Sequence, residues 1–231
     1  MAPARMTDLS GTLENGLWGY HELPGLEGVL PPVSVETVAT ISKQAFYSST
    51  ITATTISGLY LESQAHVIEG GKTLDQYPVE RFFTPAKIVK LPRQEPRAQI
   101  DGELLSSHAP EIAPGEALLV ATGWGAQWNR PGYVLECPNM KSSALEWVLE
   151  RGISLFGVDI PCIESSWSEE NDAEKGSLLR KLFEKDVLLL APLVNLEAVA
   201  SDHGILVCLP LRVAGVSGAP CRAVFIEESS K

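Results

Sequence analysis

Apolar residues in this chain fall into short unbroken runs more often than into alternating ones. ALLVAT at 117–122, ISLFGV at 153–158, Val187–Leu190, Gly204–Leu209 and Ala223–Ile226 all have the length of a strand. The Thr- and Ile-rich stretch Ser48–Ile56 and the run Lys87–Leu91 join them. Runs apolar on both sides of the pleat predict strands covered on both faces. Helical periodicity is rarer. Lys141–Glu150 (KSSALEWVLE) sets Leu145, Val148 and Leu149 on one face, and Gly152 stops it. Leu178–Phe183 fits a short amphipathic helix. Ser34–Ser42 (SVETVATIS) carries a mild helical period in Val35, Val38 and Ile41, with Ser34 as N-cap. Helix, glycine, strand over Ala144–Asp159 is an αβ unit. The Pro- and Gly-rich stretch Leu23–Pro32 predicts a loop packed over apolar neighbours. With no repeat, low-complexity tract or composition shift, these elements predict one mixed α/β domain over residues 1–231.

Composition narrows the function. At 231 residues the chain can bury roughly 70% of its unfolded surface. Its net charge of −11 argues against nucleic-acid and anionic-membrane partners, which need a basic face. The best basic candidate, Lys87–Arg97, is broken by prolines and a glutamate. Cys137, Cys162, Cys208 and Cys221 include no CxxC pair, so reduced, mostly buried thiols and a cytoplasmic setting are expected. The opening MAPARMTDLS has no apolar leader, and no apolar stretch is long enough to span a membrane. No GxGxxG, Walker loop, HExxH or GxSxG occurs, and GGKT at 70–73 reads as a turn. The acidic run Ser168–Glu174 reads as a solvated loop, and His108 and His203 as solvated.

Several segments resemble one family in the right order. They are DLSGTLENG at 8–16, IEGGKTLDQYPVERF at 68–82, TGW at 122–124, ALEWVLERGI at 144–153, GVDIP at 157–161, and LVNLEAV with LPLRVAGVSGAPCRAV over 193–224. Together they resemble the cyclase / kynurenine formamidase-like family, which includes isatin hydrolase. The resemblance implies a single mixed-sheet α/β domain of the swivelling β/β/α type, a small-molecule substrate and a homo-oligomer, dimer or tetramer. It also implies that residues 1–45 form part of a pocket or an interface, with Trp18, Tyr20 and His21 lining the pocket.

The family signature is HxGTHxDxPxH, whose first two His and Asp bind a divalent metal. Here the corresponding segment reads ISGLYLESQAH, from Ile56 to His66. Ile56, Tyr60 and Glu62 stand where ligands would be, and Leu179 and Ala191 stand near the places of two further family residues. A divalent ion needs three or more converging N, O or S donors. Ile, Leu and Ala supply none, and a neutral phenol is a poor ligand. No metal and no other cofactor is therefore expected.

His66 is the leading catalytic candidate, because an imidazole exchanges protons near neutral pH. On a strand, residues 60, 62 and 66 would share a face, so Tyr60 and Glu62 are its expected partners, orienting it or polarising a substrate. The alternative is that both merely fill a vacated metal site. Cys162 and Glu164, on GVDIPCIES, are further substrate-binding candidates, while Asp159 is expected to bond loop amides. Trp124, Trp128 and Trp147 are expected in the core or an interface. The expected function is a metal-independent enzyme of the cyclase, lyase or isomerase type, moving a proton during ring closure, dehydration or isomerisation in natural-product biosynthesis. The alternatives are an arylformamidase-type amide hydrolase and a non-catalytic binding protein.

Overall fold

The computed structural model describes residues 5–164 and 177–227. The strands are β1 (Met6–Asp8), β2 (Ser34–Ala39), β3 (Ser48–Thr52), β4 (Tyr60–Glu62), β5 (Phe83–Lys90), β6 (Gln99–Ile100), β7 (Ala117–Ala121), β8 (Asn139–Met140), β9 (Leu155–Val158), β10 (Leu188–Ala191), β11 (His203–Pro210) and β12 (Gly218–Glu227). The helices are α1 (Ile41–Gln44), α2 (Gly102–His108), α3 (Ser142–Leu149) and α4 (Ser177–Glu184). The acidic run Ser168–Glu174 lies outside the described residues.

The main sheet runs β1-β12-β11-β5-β7-β9-β10-β4, and β12 also pairs with β4. That last pairing closes the sheet into a seven-strand mixed barrel with β1 added outside. Closure depends on the length of β12: Gly218–Pro220 pair with β4, and Cys221–Glu227 pair with β11. β5, β7, β9 and β10 form the parallel part.

In β7, β9 and β10 the unbroken apolar runs are buried on both faces, as anticipated. β11 and β12 instead alternate between buried and partly exposed residues, and β3 is half-buried to exposed, so those three runs are not covered on both sides. In β7, Ala117, Leu119 and Ala121 face the barrel interior, while Leu118 and Val120 join a second core under the helices. Each fully buried Leu or Val side chain contributes roughly 1.5–3 kcal/mol. Small residues let the barrel close: a Cβ on Gly157 would fall 2.3 Å from Leu119 Cδ2. The outer core takes Leu105 of α2, Leu145 and Val148 of α3, and Leu178, Leu182 and Phe183 of α4.

Two expectations fail locally. Ser34–Ser42 is not a helix; Ser34–Ala39 is β2, paired with β3, followed by the single turn α1. The β-branched residues Val35, Thr37 and Val38 favour strand. Asn15 also supplies a strand-like partner, accepting from Val35 N at 2.6 Å and donating to Val35 O at 3.0 Å. A mild helical period does not overcome these contacts. The loop Leu23–Pro32 packs only in part: Leu23 touches the core, and Val29 is exposed. Trp124 and Trp128 join the core, and Trp147 packs at its edge beneath the Arg151 guanidinium. Cys137 and Cys208 are buried, Cys162 and Cys221 partly so, and all are free thiols. His108 and His203 are exposed. Among the described residues no helix is long and apolar enough to cross a membrane.

Candidate functional site

The candidate residues lie along β4: Tyr60 pairs with Ala191 at the C-terminal end of β10, beside the turn that follows β9, and Glu62 pairs with Leu189 nearer the start of β10. Gly58, at φ +67°, turns the chain into β4 in a conformation that glycine adopts without strain. Leu59 and Leu61 then point into the barrel, so Tyr60 and Glu62 share the opposite, outer face. His66 does not continue that face. Ser63 ends the strand, with its amide on Ser217 O at 2.8 Å and its hydroxyl on the same oxygen at 2.7 Å. The chain then turns through a short 3-10 segment, Gln64–His66. That turn, and not a shared strand face, brings His66 Nδ1 to 3.0 Å from Glu62 Oε1.

The turn is fixed from outside. Gln64 Nε2 donates to Phe183 O at 3.1 Å, and Arg180 donates to Val67 O at 2.7 Å, so α4 holds it from one side. Asp186 accepts from Tyr77 at 2.8 Å and Arg81 at 2.9 Å just beyond.

The two members of the pair differ in exposure. The His66 side chain is 30% exposed and that of Glu62 only 3%. Burial pushes the Glu62 carboxyl up to about 8 and lowers the His66 imidazole from its usual range. Around neutral pH the pair thus holds one shared proton, and His66 Nε2 is the ring nitrogen that Glu62 does not engage. With the pair protonated, Nε2 carries a hydrogen and donates. When the pair loses its proton, ionised Glu62 accepts from Nδ1–H and Nε2 is left as a base.

Of the two expectations for Tyr60, a substrate-polarising hydroxyl or a side chain that fills the site, its contacts favour the second. Its hydroxyl lies 2.7 Å from that of Tyr20 and 3.2 Å from Pro161 O, and Tyr20 donates to Pro161 O at 2.5 Å. Each phenol has one hydrogen, and both are engaged inside this cluster. Tyr60 is also only 2% exposed, so it staples the N-terminal segment to β4 instead of polarising a substrate. Burial raises both phenols well above their usual range, which keeps them protonated.

Trp18 packs edge-on against Tyr20 at 5.8 Å and Trp128 at 5.4 Å, extending the aromatic wall toward Tyr133. His21 is folded back over Gly19 and does not join the cluster. Cys162 lies within electrostatic reach of Tyr20, Tyr60 and Glu62, and burial raises its thiol far above its usual range, which disfavours a nucleophilic thiolate. Glu164 serves the fold: its carboxylate accepts from Leu178 N and, at 3.0 Å, Leu179 N, which anchors the start of α4. Asp159 bonds loop amides, as expected: it accepts from Thr122 N and Oγ1 and from Gly123 N at 2.7–3.0 Å.

Sequence reasoning missed Ser63, Gln64, Asp186 and the Pro161 carbonyl. Ser63 and Gln64 stand inside the motif segment, which is the one signal that points to them. Backbone acceptors and Asp186 carry no signal along the chain. A cleft of about 420 Å³ lies elsewhere, between Leu74–Phe82 and Leu209–Arg212. It contains none of the candidate residues, so it is not the site of this chemistry.

A closed mixed barrel backed by helices, with a His–carboxylate pair on its outer face, defines a mixed α/β protein. The chain belongs to the "Putative cyclase" family, whose model matches residues 7–165. It is 26% identical over 170 residues to the kynurenine formamidase of Bordetella petrii, covering 74% of this chain and 76% of that one. It is 27% identical over 168 residues to that of a Bacillus cereus strain, covering 73% and 74%. Its fold matches isatin hydrolase A from Ralstonia solanacearum with a TM-score of 0.86 at 22% identity, over 97% of this chain and 92% of that one. The structure of a predicted metal-dependent hydrolase from Bacillus stearothermophilus matches with a TM-score of 0.78 at 19% identity, over 98% and 100%.

The metal implied by the family resemblance does not fit the donors present here. Ile56 is aliphatic, the Tyr60 phenol is protonated and engaged, and Glu62 is one carboxylate paired with His66. Ala191 stands across the sheet from Tyr60, and Leu179 belongs to the core. Among the described residues no three His, Cys, Asp or Glu side chains are placed to hold a metal ion.

Proposed function

We propose that this chain is a small-molecule enzyme in which His66, backed by buried Glu62, is the general acid/base. The observation that carries this reading is the 3.0 Å contact between the two, with His66 the member that reaches the surface. A buried carboxyl beside an imidazole sets ring orientation and proton affinity together. The substrate class is a carbonyl compound, and the favoured reaction is hydrolysis of an N-formyl or lactam amide, in line with the kynurenine formamidase relatives. In that step His66 Nε2 takes a proton from water as the water oxygen bonds to the carbonyl carbon. The same proton then passes to the leaving nitrogen as the C–N bond breaks. This route uses no metal.

A second reading is ring closure, dehydration or isomerisation in natural-product biosynthesis. The donor set favours it, since such steps need one positioned acid–base group and no Lewis acid. Assay of the purified chain on N-formyl anilides and cyclic amides, with and without a chelator, tests the first reading. Chelator-insensitive turnover that disappears in His66→Ala supports it. Turnover unchanged in His66→Ala removes the proposed base. A well-folded chain that binds these compounds without converting them points to a non-catalytic binding protein.

A further inference from the structure

Glu62 and His66 belong to one short stretch of chain, so their contact depends on how residues 63–65 turn between them. None of Ser63, Gln64 and Ala65 is a proline or glycine, so residue type does not impose this turn. The backbone closes it with His66 N on Ser63 O at 3.0 Å, Val67 N on Gln64 O at 3.3 Å and Ala65 N on Lys72 O at 3.2 Å. A 3-10 turn of three residues is a weak element by itself.

The Gln64 side chain supplies what the backbone lacks, because its amide is bonded at both ends. Oε1 accepts from Lys72 N at 3.2 Å, while Nε2 donates to Phe183 O at 3.1 Å and to Asp186 Oδ1 at 3.4 Å. The direction of the amide is thereby set: Lys72 N can only donate, and Phe183 O and the Asp186 carboxylate can only accept. Asp186 is itself held, since Tyr77 donates to it at 2.8 Å and Arg81 at 2.9 Å, and Arg81 also donates to Asp186 O at 2.7 Å. The other tie from α4, Arg180 to Val67 O, is exposed to competing water.

We propose that Gln64 is a positioning residue, whose doubly bonded amide imposes the turn that sets His66 against Glu62. It touches no reacting atom, and its effect on turnover rests on the reading of His66 as general acid/base. Proline separates this role from a merely stabilising one. Ser63 is extended, at φ −133° and ψ 178°, as proline requires of the residue before it. Gln64 opens the 3-10 segment, where a backbone N–H has no acceptor of its own and proline is favoured. Gln64→Pro therefore keeps the turn and loses every side-chain bond, whereas Gln64→Ala loses both.

Two readouts on variants that circular dichroism shows to be folded test this. One is turnover of N-formyl anilides or cyclic amides. The other needs no substrate: the ring nitrogen resonances of His66, assigned by their loss in His66→Ala, report whether Nδ1 is hydrogen-bonded. Gln64→Ala is expected to lower kcat roughly ten- to a hundredfold with little change in KM, as a displaced catalytic group does. Its Nδ1 resonance is expected to move to that of an unbonded imidazole. Gln64→Pro is expected to keep both the wild-type kcat and the wild-type resonance. Wild-type behaviour of Gln64→Ala in both readouts overturns the proposal, and so does equal impairment of the Ala and Pro variants. Normal turnover in His66→Ala would remove the acid/base reading instead, and the resonances would still decide whether Gln64 positions the ring.

Discussion

Two carboxylates are buried almost completely, Asp159 after β9 and Glu62 in β4, and they do opposite things. Asp159 is 1% exposed and accepts from the Thr122 amide and hydroxyl and the amides of Gly123 and Gly125. Burial raises it to about 6, with the Thr122 hydrogen bonds pulling the other way. Glu62 is 2% exposed, and among the described residues His66 is its one ion-pair partner, so burial carries it to about 8. Equal burial thus gives an anchor where donors converge and a proton-holding group where they do not.

The largest expected effect separates the two by activity. His66→Ala should lower kcat by roughly 10²–10⁴-fold with the fold retained, since general acid/base groups contribute on that order. Equal kcat for variant and wild type would leave Glu62 as a merely buried acid.

Stability should separate them in the other direction. Asp159→Ala leaves buried donors at Thr122, Gly123 and Gly125 without an acceptor. At about 1–3 kcal/mol for each such group, partly relieved by relaxation, the loss should be on the order of 4 kcal/mol in urea unfolding. A loss below about 1 kcal/mol would show that the anchor is dispensable.

The pH dependence sharpens the contrast further. Glu62 has its folded value raised to about 8, above the ordinary 4.5. Its contribution to stability is therefore full below about 4.5 and is lost as pH rises to about 8. His66 has the opposite sign, since its lowered value costs stability as pH falls below 6.5. Between pH 7 and 8 the Glu62 trend acts almost alone. Glu62→Gln should therefore gain on the wild type across the range from about 4.5 to 8, by on the order of 5 kcal/mol in total. Parallel stability curves for the two proteins would contradict the raised carboxyl. In activity, a base-catalysed step should rise with pH through about 8 in the wild type and lose that limb in Glu62→Gln.

The smallest effect concerns the staple beside the pair. Tyr20→Phe removes the hydrogen bonds to Tyr60 and Pro161 O and should cost about 1 kcal/mol in thermal unfolding, with little change in kcat. A large fall in kcat would make the phenol part of the reaction.

Much of the site is legible in the sequence because residue types carry their chemistry with them. The non-ligand character of Ile56 and the proton-transfer capacity of His66 can be read directly, as can the role of Asp159 in bonding loop amides. Residue type alone misplaces Glu164 and His21, for want of distance information. Glu164 is taken up by Leu178 N and Leu179 N, and nothing local says that α4 begins beside it. For Tyr60 both roles stay open in the sequence, because the partner that decides between them, Tyr20, lies forty positions away in the chain.

The sequence by itself determined which apolar runs become strands, where the α3 helix starts and stops, and which atoms are offered at positions 56, 60, 62 and 66. These follow from local periodicity and from the chemistry of single side chains. Only the tertiary structure decided that Ser34–Ala39 is a strand, that β12 closes the barrel onto β4, and that a turn held by α4 delivers His66 to Glu62. Those outcomes depend on which distant groups compete for the same hydrogen bonds and on how completely water is excluded, and neither quantity exists until the chain has packed.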